Sequence, residues 1–178
     1  MQVLKVEGAY PQDFMRVFHD ITNLFFEDTK LVKEDLVPDL VVQFNHHTTA
    51  DFTVIADGTL QMDGQIYKSQ FQQAYETEGT ERERRIRVKR ALSHVLLDML
   101  EQKTGIIQQW GILTGIRPTK LYHKFRKAGL TDQQIHDKLK NEFSLADEKI
   151  DMLKSIVKTQ LKTIPDLDTI GNEVSIYI

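Results

Sequence analysis

The pattern of apolar residues changes near residue 78, and this change constrains the fold more than any other feature of the sequence. Before it, the apolar runs LVVQF at 40–44 and FTVIA at 52–56 are short, β-branched and bounded by polar residues, which is typical of strands. After it, apolar residues recur at helical spacing through to residue 161. The chain is therefore expected to be α+β, with a strand-rich first part and a helical second part.

The first part is predicted to follow the order β-α-β-β-β. Residues 1–6 form a first strand, and Phe14, Phe18 and Ile21 belong to an apolar helical stripe that follows Pro11. The two strands named above come next, separated by a polar loop at 45–51 that contains His46 and His47. Together these elements indicate one helix on a mainly antiparallel sheet, over residues 1–78.

The dipeptide Asp57-Gly58 is a strong signal for a two-residue hairpin turn, because both turn positions require a positive φ. We expect the chain to reverse there into a last strand at 59–62. That strand would continue through Ile66-Tyr67, beyond Asp63-Gly64.

The second part, residues 79–170, is predicted to contain about four helices. Thr80 and Glu83 form a capping box at the start of a long helix with a narrow apolar stripe, which Gly105 ends. A second helix spans 118–127, and Thr131 with Gln134 caps a third. Ser144 is expected to cap the fourth, which Pro165 breaks. Residues 174–178 are strand-like, and the sequence ends in mid-strand as if cut.

Composition excludes several kinds of site. The chain of 178 residues has 40% hydrophobic and 28% charged residues, as in ordinary globular proteins, and contains no cysteine. A disulfide scaffold, a thiol nucleophile and a thiolate-held metal are therefore excluded within these residues. The sequence has no P-loop, dinucleotide-binding or nucleophile-elbow motif, and no paired zinc histidines. With no signal-peptide pattern and no membrane-length apolar run, a cytoplasmic location is expected.

The formal net charge of −3 hides a strong asymmetry, because residues 1–78 are mainly acidic and residues 82–127 mainly basic. Only Glu83, Asp98 and Glu101 are acidic within the basic region. A basic middle of this kind is typical of a solvated helix face, of an internal contact between the two parts, or of an acidic partner. RNA binding through the basic helices at 82–90 and 120–127 is the alternative function that this pattern indicates.

The stretch at 110–127 reads WGILTGIRPTKLYHKFRK and joins the two parts. Pro118 is typical of the first position of a helix, so Arg117 and Lys120 are predicted at a helix N-terminus. Free backbone N–H groups favour an anion there, and acidic side chains are the usual occupants. Both anion binding and interdomain docking stay open for the candidate residues of this stretch, which are Trp110, Gly115, Arg117, Thr119 and Lys120.

The block WGILTGIRPTKLYHKF, the helices after it and the ending GNEVSIYI resemble a known family. They are similar to the N-terminal region of the bacterial oxygen-independent coproporphyrinogen III oxidase-like radical SAM proteins. More narrowly, they resemble the coproporphyrinogen dehydrogenase (HemZ) subfamily. The resemblance covers essentially the whole chain. It is specific in LTGIRPTK and SIYI, and weak across residues 1–78.

The resemblance implies that this chain is the accessory N-terminal part of a larger protein. Residues 171–178 would be the first strand of a radical SAM barrel, truncated before the three cysteines that hold its [4Fe–4S] cluster. The parent would use this cluster and S-adenosylmethionine in the oxidative decarboxylation of coproporphyrinogen III, in haem biosynthesis. No catalytic or cofactor-binding residue is implied within this chain.

The resemblance leaves two roles for the basic residues at the start of the predicted helix 118–127. Arg117 and Lys120 either contribute to binding the tetracarboxylate substrate or form a docking surface for the barrel. Arginine suits both roles, since its planar guanidinium pairs with carboxylates and donates to backbone carbonyls. Docking is the preferred interpretation, because a barrel shared by the family can bind its own substrate.

Overall fold

The computed structural model describes residues 2–32, 37–114 and 117–163. Within these ranges the chain is α+β, as predicted, with one sheet followed by helices. The five strands are β1 (Gln2–Gly8), β2 (Thr29–Leu31), β3 (Leu40–Thr48), β4 (Val54–Met62) and β5 (Gln65–Gln73). The five α-helices are α1 (Met15–Thr22), α2 (Glu81–Thr104), α3 (Pro118–Lys127), α4 (Asp132–Phe143) and α5 (Asp147–Thr163).

The sheet has the order β2-β1-β3-β4-β5. Strand β1 runs parallel to both β2 and β3, whereas the longer pairs β3–β4 and β4–β5 are antiparallel, so the sheet is mostly antiparallel as expected. The predicted order lacked β2, a strand of three residues that is too short for any period to appear in its sequence. It reaches its parallel position beside β1 through the crossover helix α1.

The predicted turn at Asp57-Gly58 is wrong, because β4 passes straight through both residues. The chain reverses instead at Asp63-Gly64, where φ is +52° and +72° as a primed hairpin turn requires. Gly58 has a packing role: a Cβ at this position would lie 2.9 Å from Cγ1 of Val95 in α2. The absence of a side chain at residue 58 lets α2 approach the sheet closely.

The loop predicted at 45–51 is also too long. Strand β3 continues to Thr48, so His46 and His47 lie on a strand rather than in a hairpin loop. The β3–β4 hairpin closes over residues 49–53, where the Thr49 amide donates to the Thr53 carbonyl at 2.9 Å. The two histidines pair with Ala56 and Ile55 of β4. They are part of the sheet.

The core lies between one face of the sheet and helices α1 and α2. Alternate residues of β3 and β4, such as Val42 and Leu60, are fully buried on this face. Phe18 of α1 packs on Phe44 of β3, with ring centroids 4.8 Å apart. Burying a side chain of this size contributes about 1.5–3 kcal/mol each. The same contiguous core continues into the helical part, where it includes Tyr122, Ile135 and Leu153.

Helix α2 is buried on all sides over residues 91–97, although the sequence predicted only a narrow apolar stripe along this helix. Every residue from Ala91 to Leu97 is buried, and so are Met99 and Leu100. The reason is its position: α2 packs against β4 and β5 on one side and contacts α1 and α4 on others. A helix covered from several directions loses the amphipathic pattern of a surface helix.

The helix ends largely follow the predicted signals. Both capping boxes are present, at Thr80–Glu83 and Thr131–Gln134, and Gly105 ends α2 in the left-handed region at φ +71°. Ser144 differs from its predicted role, since it is the C-terminal cap of α4 at φ +57° and α5 begins at Asp147.

Other predictions stay untested. The division of the chain into subdomains at residues 78 and 170 stays a prediction. Helix α2 lies after residue 78 and packs on the sheet that lies before it. Pro165 and the predicted strand at 174–178 lie outside the described residues. Within the described ranges, the structure contains no helix of the length and apolar character that a membrane span requires.

Candidate functional site

The first half of the 110–127 stretch is a tight turn held against the end of α4. The Ile112 amide donates to the Phe143 carbonyl at 3.0 Å, and the Ala146 amide donates to the Gln109 carbonyl at 3.0 Å. Gly111 has a φ of +55° and contacts the backbone around Phe143 directly. Ile112 and Leu113 are buried in the core. This part of the stretch therefore has a structural role.

Trp110 belongs to the same turn and is half-buried against the core. The ammonium nitrogen of Lys149, on α5, lies 5.6 Å from the centroid of its ring, which is within the range of a cation–π contact. The indole thus fixes the turn against α5. Trp110 remains a candidate for docking or binding only through the part of its ring that is exposed.

The second half of the stretch begins α3 as predicted. Arg117 is the N-terminal cap residue with extended backbone, and Pro118 follows at the first helical position. No side chain caps this helix start, and its first turn contains no acidic residue. Arg117 and Lys120 are exposed, whereas Thr119 is half-buried. Gly115, the remaining candidate residue, lies outside the described residues.

Helix α3 holds this start firmly through two buried aromatic residues, Tyr122 and Phe125. The Tyr122 hydroxyl donates to a carboxylate oxygen of Asp132 at 3.0 Å. Burial and this carboxylate raise the pKa of Tyr122 to about 12. The neighbouring His123 ring is 2.9 Å from the side-chain oxygen of Gln160 on α5. We call the exposed pair Arg117 and Lys120 the α3 docking surface, after the role that the sequence predicts for it, and that role stays a prediction.

The basic face of α2 makes internal contacts, one of the options left open by the charge pattern. Arg84 pairs with Glu78 at 2.6 Å, and Arg85 pairs with Asp13 of the first part of the chain. Arg87 donates to the carbonyl of Thr77 at 2.7 Å and stacks over Tyr75. Arg90 pairs with Glu142 at 2.6 Å and lies over the ring of Phe143. These arginines connect α2 to its neighbours.

A cleft of about 420 Å³ lies beside this helix, and sequence reasoning missed it. We call it the basic cleft. Its walls are α1, α2, the turn after Gly111 and the end of α4. It is lined by Arg16, Val17, Asp20, Ile86, Lys89, Arg90, Ser93, Ile112, Leu113, Thr114 and Phe143. Its cations come from two helices far apart in the sequence, so no local pattern could have indicated it.

His94 connects the sheet to the helical part on the other side of α2. Its ring stacks on Phe71 of β5 at a centroid distance of 4.1 Å. Nε2 lies 3.1 Å from the Glu142 carbonyl, and Nδ1 lies 3.0 Å from the Ser144 hydroxyl. Burial lowers the pKa of His94 to about 4. A neutral ring with Nε2 protonated satisfies both contacts, because Nε2 then donates and Nδ1 accepts.

The described residues contain no group of three histidine, cysteine or acidic side chains placed to hold a metal ion. The whole chain has no cysteine, so it offers no thiolate ligand for an iron–sulfur cluster. The residues of this chain therefore do not fit the cluster that the resemblance implies for the parent protein.

Comparison with known proteins agrees with the resemblance seen in the sequence. No family model matches the chain. The chain is 38% identical over 176 residues to the oxygen-independent coproporphyrinogen-III oxidase-like protein HemZ of Bacillus subtilis (strain 168). The similarity covers 98% of this chain and 34% of that relative, so the chain spans about a third of the relative's length. The resemblance to this group of proteins is thereby confirmed.

Proposed function

We propose that this chain is the accessory, non-catalytic region of an oxygen-independent coproporphyrinogen-III oxidase-like protein of haem biosynthesis. Its similarity to HemZ over nearly all of its own length, and over a third of the relative, supports this proposal. The remaining two thirds of such a protein would contain the catalytic centre. The cluster and S-adenosylmethionine implied by the family would be held there, because the sequence of this chain has no cysteine to ligate a cluster.

The role we assign to this region is docking, through the α3 docking surface. The observation that carries it is a contrast between two groups of cations. Arg84, Arg85 and Arg90 are all paired with carboxylates of the chain itself. Arg117 and Lys120 are exposed, and no ion pair joins them to any described acidic residue.

The chemistry of this surface suits a partner rich in carbonyls and carboxylates. A helix start without an acidic side chain or a side-chain cap keeps its partial positive charge available to an acceptor. Pro118 has no N–H group and the Lys120 amide donates to the Arg117 carbonyl at 3.0 Å, so the helix dipole and the two side chains contribute most of this attraction. Arg117 adds a planar group with five donors, which can bind two acceptors at once. We propose that the catalytic region supplies these acceptors, so that the start of α3 lies at the boundary between the two regions.

A chimaeric protein tests the docking role. This chain would replace the matching third of the Bacillus relative, and the chimaera would be compared with its R117E/K120E variant. Charge reversal should separate the two regions, seen as faster limited proteolysis between them and two separate thermal transitions. Reversing the charge of these side chains replaces attraction with repulsion and also removes the contacts, so we expect a large increase in proteolysis between the two regions.

The matched control is K30E/R82E, which reverses one lysine and one arginine at exposed positions on β2 and α2. It changes the net charge by the same amount and should leave proteolysis and unfolding unchanged. Equal behaviour of R117E/K120E and K30E/R82E would refute docking through α3. A cytoplasmic location is part of the same proposal, and cell fractionation of a tagged protein tests it.

RNA binding stays an untested alternative. No contact of the described residues favours it over docking, because arginines at 84–90 are engaged within the chain.

A further inference from the structure

We infer that the basic cleft binds the carboxylate side chains of an apolar, planar molecule, of the tetrapyrrole class. The identity of the ligand rests on the proposed function, whereas the site itself follows from the residues that line it. This site differs from the α3 docking surface, which lies beyond Thr114 along the chain. It would give the accessory region a direct part in holding the substrate.

The floor of the cleft is apolar and preformed. Ile112 and Leu113 are only 8% and 9% exposed, and Phe143 is 4% exposed, so their positions are fixed by the core. Val17 of α1 and Ile86 of α2 extend the same apolar lining. A volume of about 420 Å³ lies within the usual range of ligand pockets, about 300–1,000 Å³. Such a floor suits the face or edge of a large unsaturated ring.

Cations surround this floor. Arg16 on α1 is 90% exposed along its side chain, and its nearest acidic group is Asp20, with Nε and Oδ2 4.0 Å apart. Lys89 on α2 has its ammonium 5.9 Å from the Phe14 ring, a contact that leaves its hydrogen-bond donors available to a ligand. Both side chains are long enough to swing over the cleft. They are the residues we assign to the ligand's carboxylates.

Arg90 has a different role, because Glu142 already pairs with it at 2.6 Å. Lys138 also contacts Glu142, so this carboxylate is compensated from two sides. Among the described residues that line the cleft, Asp20 is the one acidic group, at 38% side-chain exposure, and the Glu142 that pairs with Arg90 is not part of the lining. The balance is positive, which favours an anionic ligand and raises its local concentration.

The turn after Gly111, which joins the two parts of the chain, contributes three residues to the lining of the cleft. Ile112 and Leu113 contribute the floor, and Thr114 contributes a hydroxyl at the rim. Ser93, the other hydroxyl in the lining, donates to the Lys89 carbonyl at 2.8 Å and so fixes the helix turn that carries Lys89. The turn, α1 and α2 thus build one site from both parts of the chain.

The test is a titration of the purified chain with coproporphyrin III, a stable tetracarboxylate porphyrin. Binding is followed through quenching of Trp110 emission and, independently, by equilibrium dialysis. We expect saturable binding that weakens with added salt, because the contacts are between partly exposed charges. The R16Q/K89Q variant should bind about tenfold more weakly, and the charge-conserving R16K/K89R variant should recover most of the affinity.

The R117Q/K120Q variant is the matched control and should bind coproporphyrin like the unmodified chain. Far-ultraviolet circular dichroism and the unfolding midpoint of each variant show that the fold is retained. No saturable binding, or equal binding by R16Q/K89Q and the unmodified chain, would overturn the inference. Binding lost only in R117Q/K120Q would move the ligand to α3 and overturn it as well. The chimaera experiment does not change Arg16 or Lys89, so its result tests the docking proposal without depending on whether the cleft binds a ligand.

Discussion

Gly111 and Phe143 lie so close together that a Cβ on Gly111 would come within 1.9 Å of the Phe143 carbonyl oxygen. The same atom would lie 2.6 Å from the Ser144 carbonyl oxygen. Both neighbours are backbone atoms at the end of α4, where the adjacent amide of Ile112 donates to the Phe143 carbonyl. The close approach and this hydrogen bond join the turn to the helical part, so glycine is required here by contact.

We expect Gly111→Ala to lower the free energy of unfolding by more than about 3 kcal/mol, since backbone must move on one side or the other. Urea unfolding followed by Trp110 emission measures this change. Gly105→Ala is the matched control, because Gly105 has a φ of +71° with nothing within 4 Å of its added Cβ. Gly105→Ala should lower the free energy of unfolding only by the strain of a left-handed alanine, about 1–2 kcal/mol. Similar losses for the two variants would contradict the contact argument.

His94 should make the stability depend on pH. Its pKa falls from 6.5 to about 4 on folding because burial disfavours the charged ring, so the unfolded chain binds the extra proton first. Stability from this residue is therefore full above pH 6.5 and is lost as the pH falls towards about 4. The shift corresponds to about 3 kcal/mol at most.

The His94→Gln variant tests this pH dependence. A glutamine can still donate to the Glu142 carbonyl and accept from Ser144, but it does not titrate. At neutral pH the variant should be less stable than the unmodified chain, through lost stacking on Phe71. This deficit should shrink as the pH falls from 6.5 to about 4. A constant deficit, measured by urea unfolding across that window, would show that His94 does not titrate as we predict.

Tyr122→Phe should lower the free energy of unfolding by about 1–2 kcal/mol, because the Asp132 carboxylate loses the hydrogen bond that the Tyr122 hydroxyl donates to it. Tyr122 is 2% exposed and donates to Asp132, which also contacts Lys154 at 3.1 Å. Thermal unfolding measures the loss. The control is Tyr67→Phe on β5, where the hydroxyl donates to the neutral side-chain oxygen of Gln65 at an exposed position. Equal losses in the two variants would show that the buried hydrogen bond to Asp132 contributes no more to stability than an exposed one.

Spectrophotometric titration of the tyrosines gives a second readout for Tyr122. Its pKa of about 12 in the folded chain exceeds the ordinary value of 10.0, so its phenol should ionise late. Above pH 10 the unfolded chain releases this proton first, and stability from Tyr122 should be lost as the pH rises towards about 12.

Local signals predicted much of the fold because many helix ends are decided by nearby residues. The capping boxes at Thr80 and Thr131 and the left-handed Gly105 are all where the sequence placed them. The two Asp-Gly dipeptides are different, since both carry the same local signal and only Asp63-Gly64 forms a turn. Gly58 is explained by Val95, which follows it at a distance in the chain and contacts it only after folding.

The candidate site also has a part that local sequence signals predict and a part that only the tertiary fold creates. The position of Arg117 and Lys120 at the start of α3 follows from Pro118, a local signal, and both side chains are exposed there. The basic cleft depends on α1 and α2 meeting beside the turn after Gly111, a tertiary arrangement that no short pattern encodes. The charge of the α2 face was visible in the sequence, whereas its partners Asp13 and Glu142 were not.

The burial of α2 on all sides has a consequence for how the chain can be cut. The sheet and helix α4 both pack against this one helix, with Val95 contacting the sheet at Gly58 and Arg90 contacting α4 at Glu142. A fragment that ends before α2 would expose the inner face of the sheet, and a fragment that begins after it would expose α4. Neither fragment should be soluble when expressed alone. Co-expression of both, with α2 on either one, should restore a folded complex by fragment complementation.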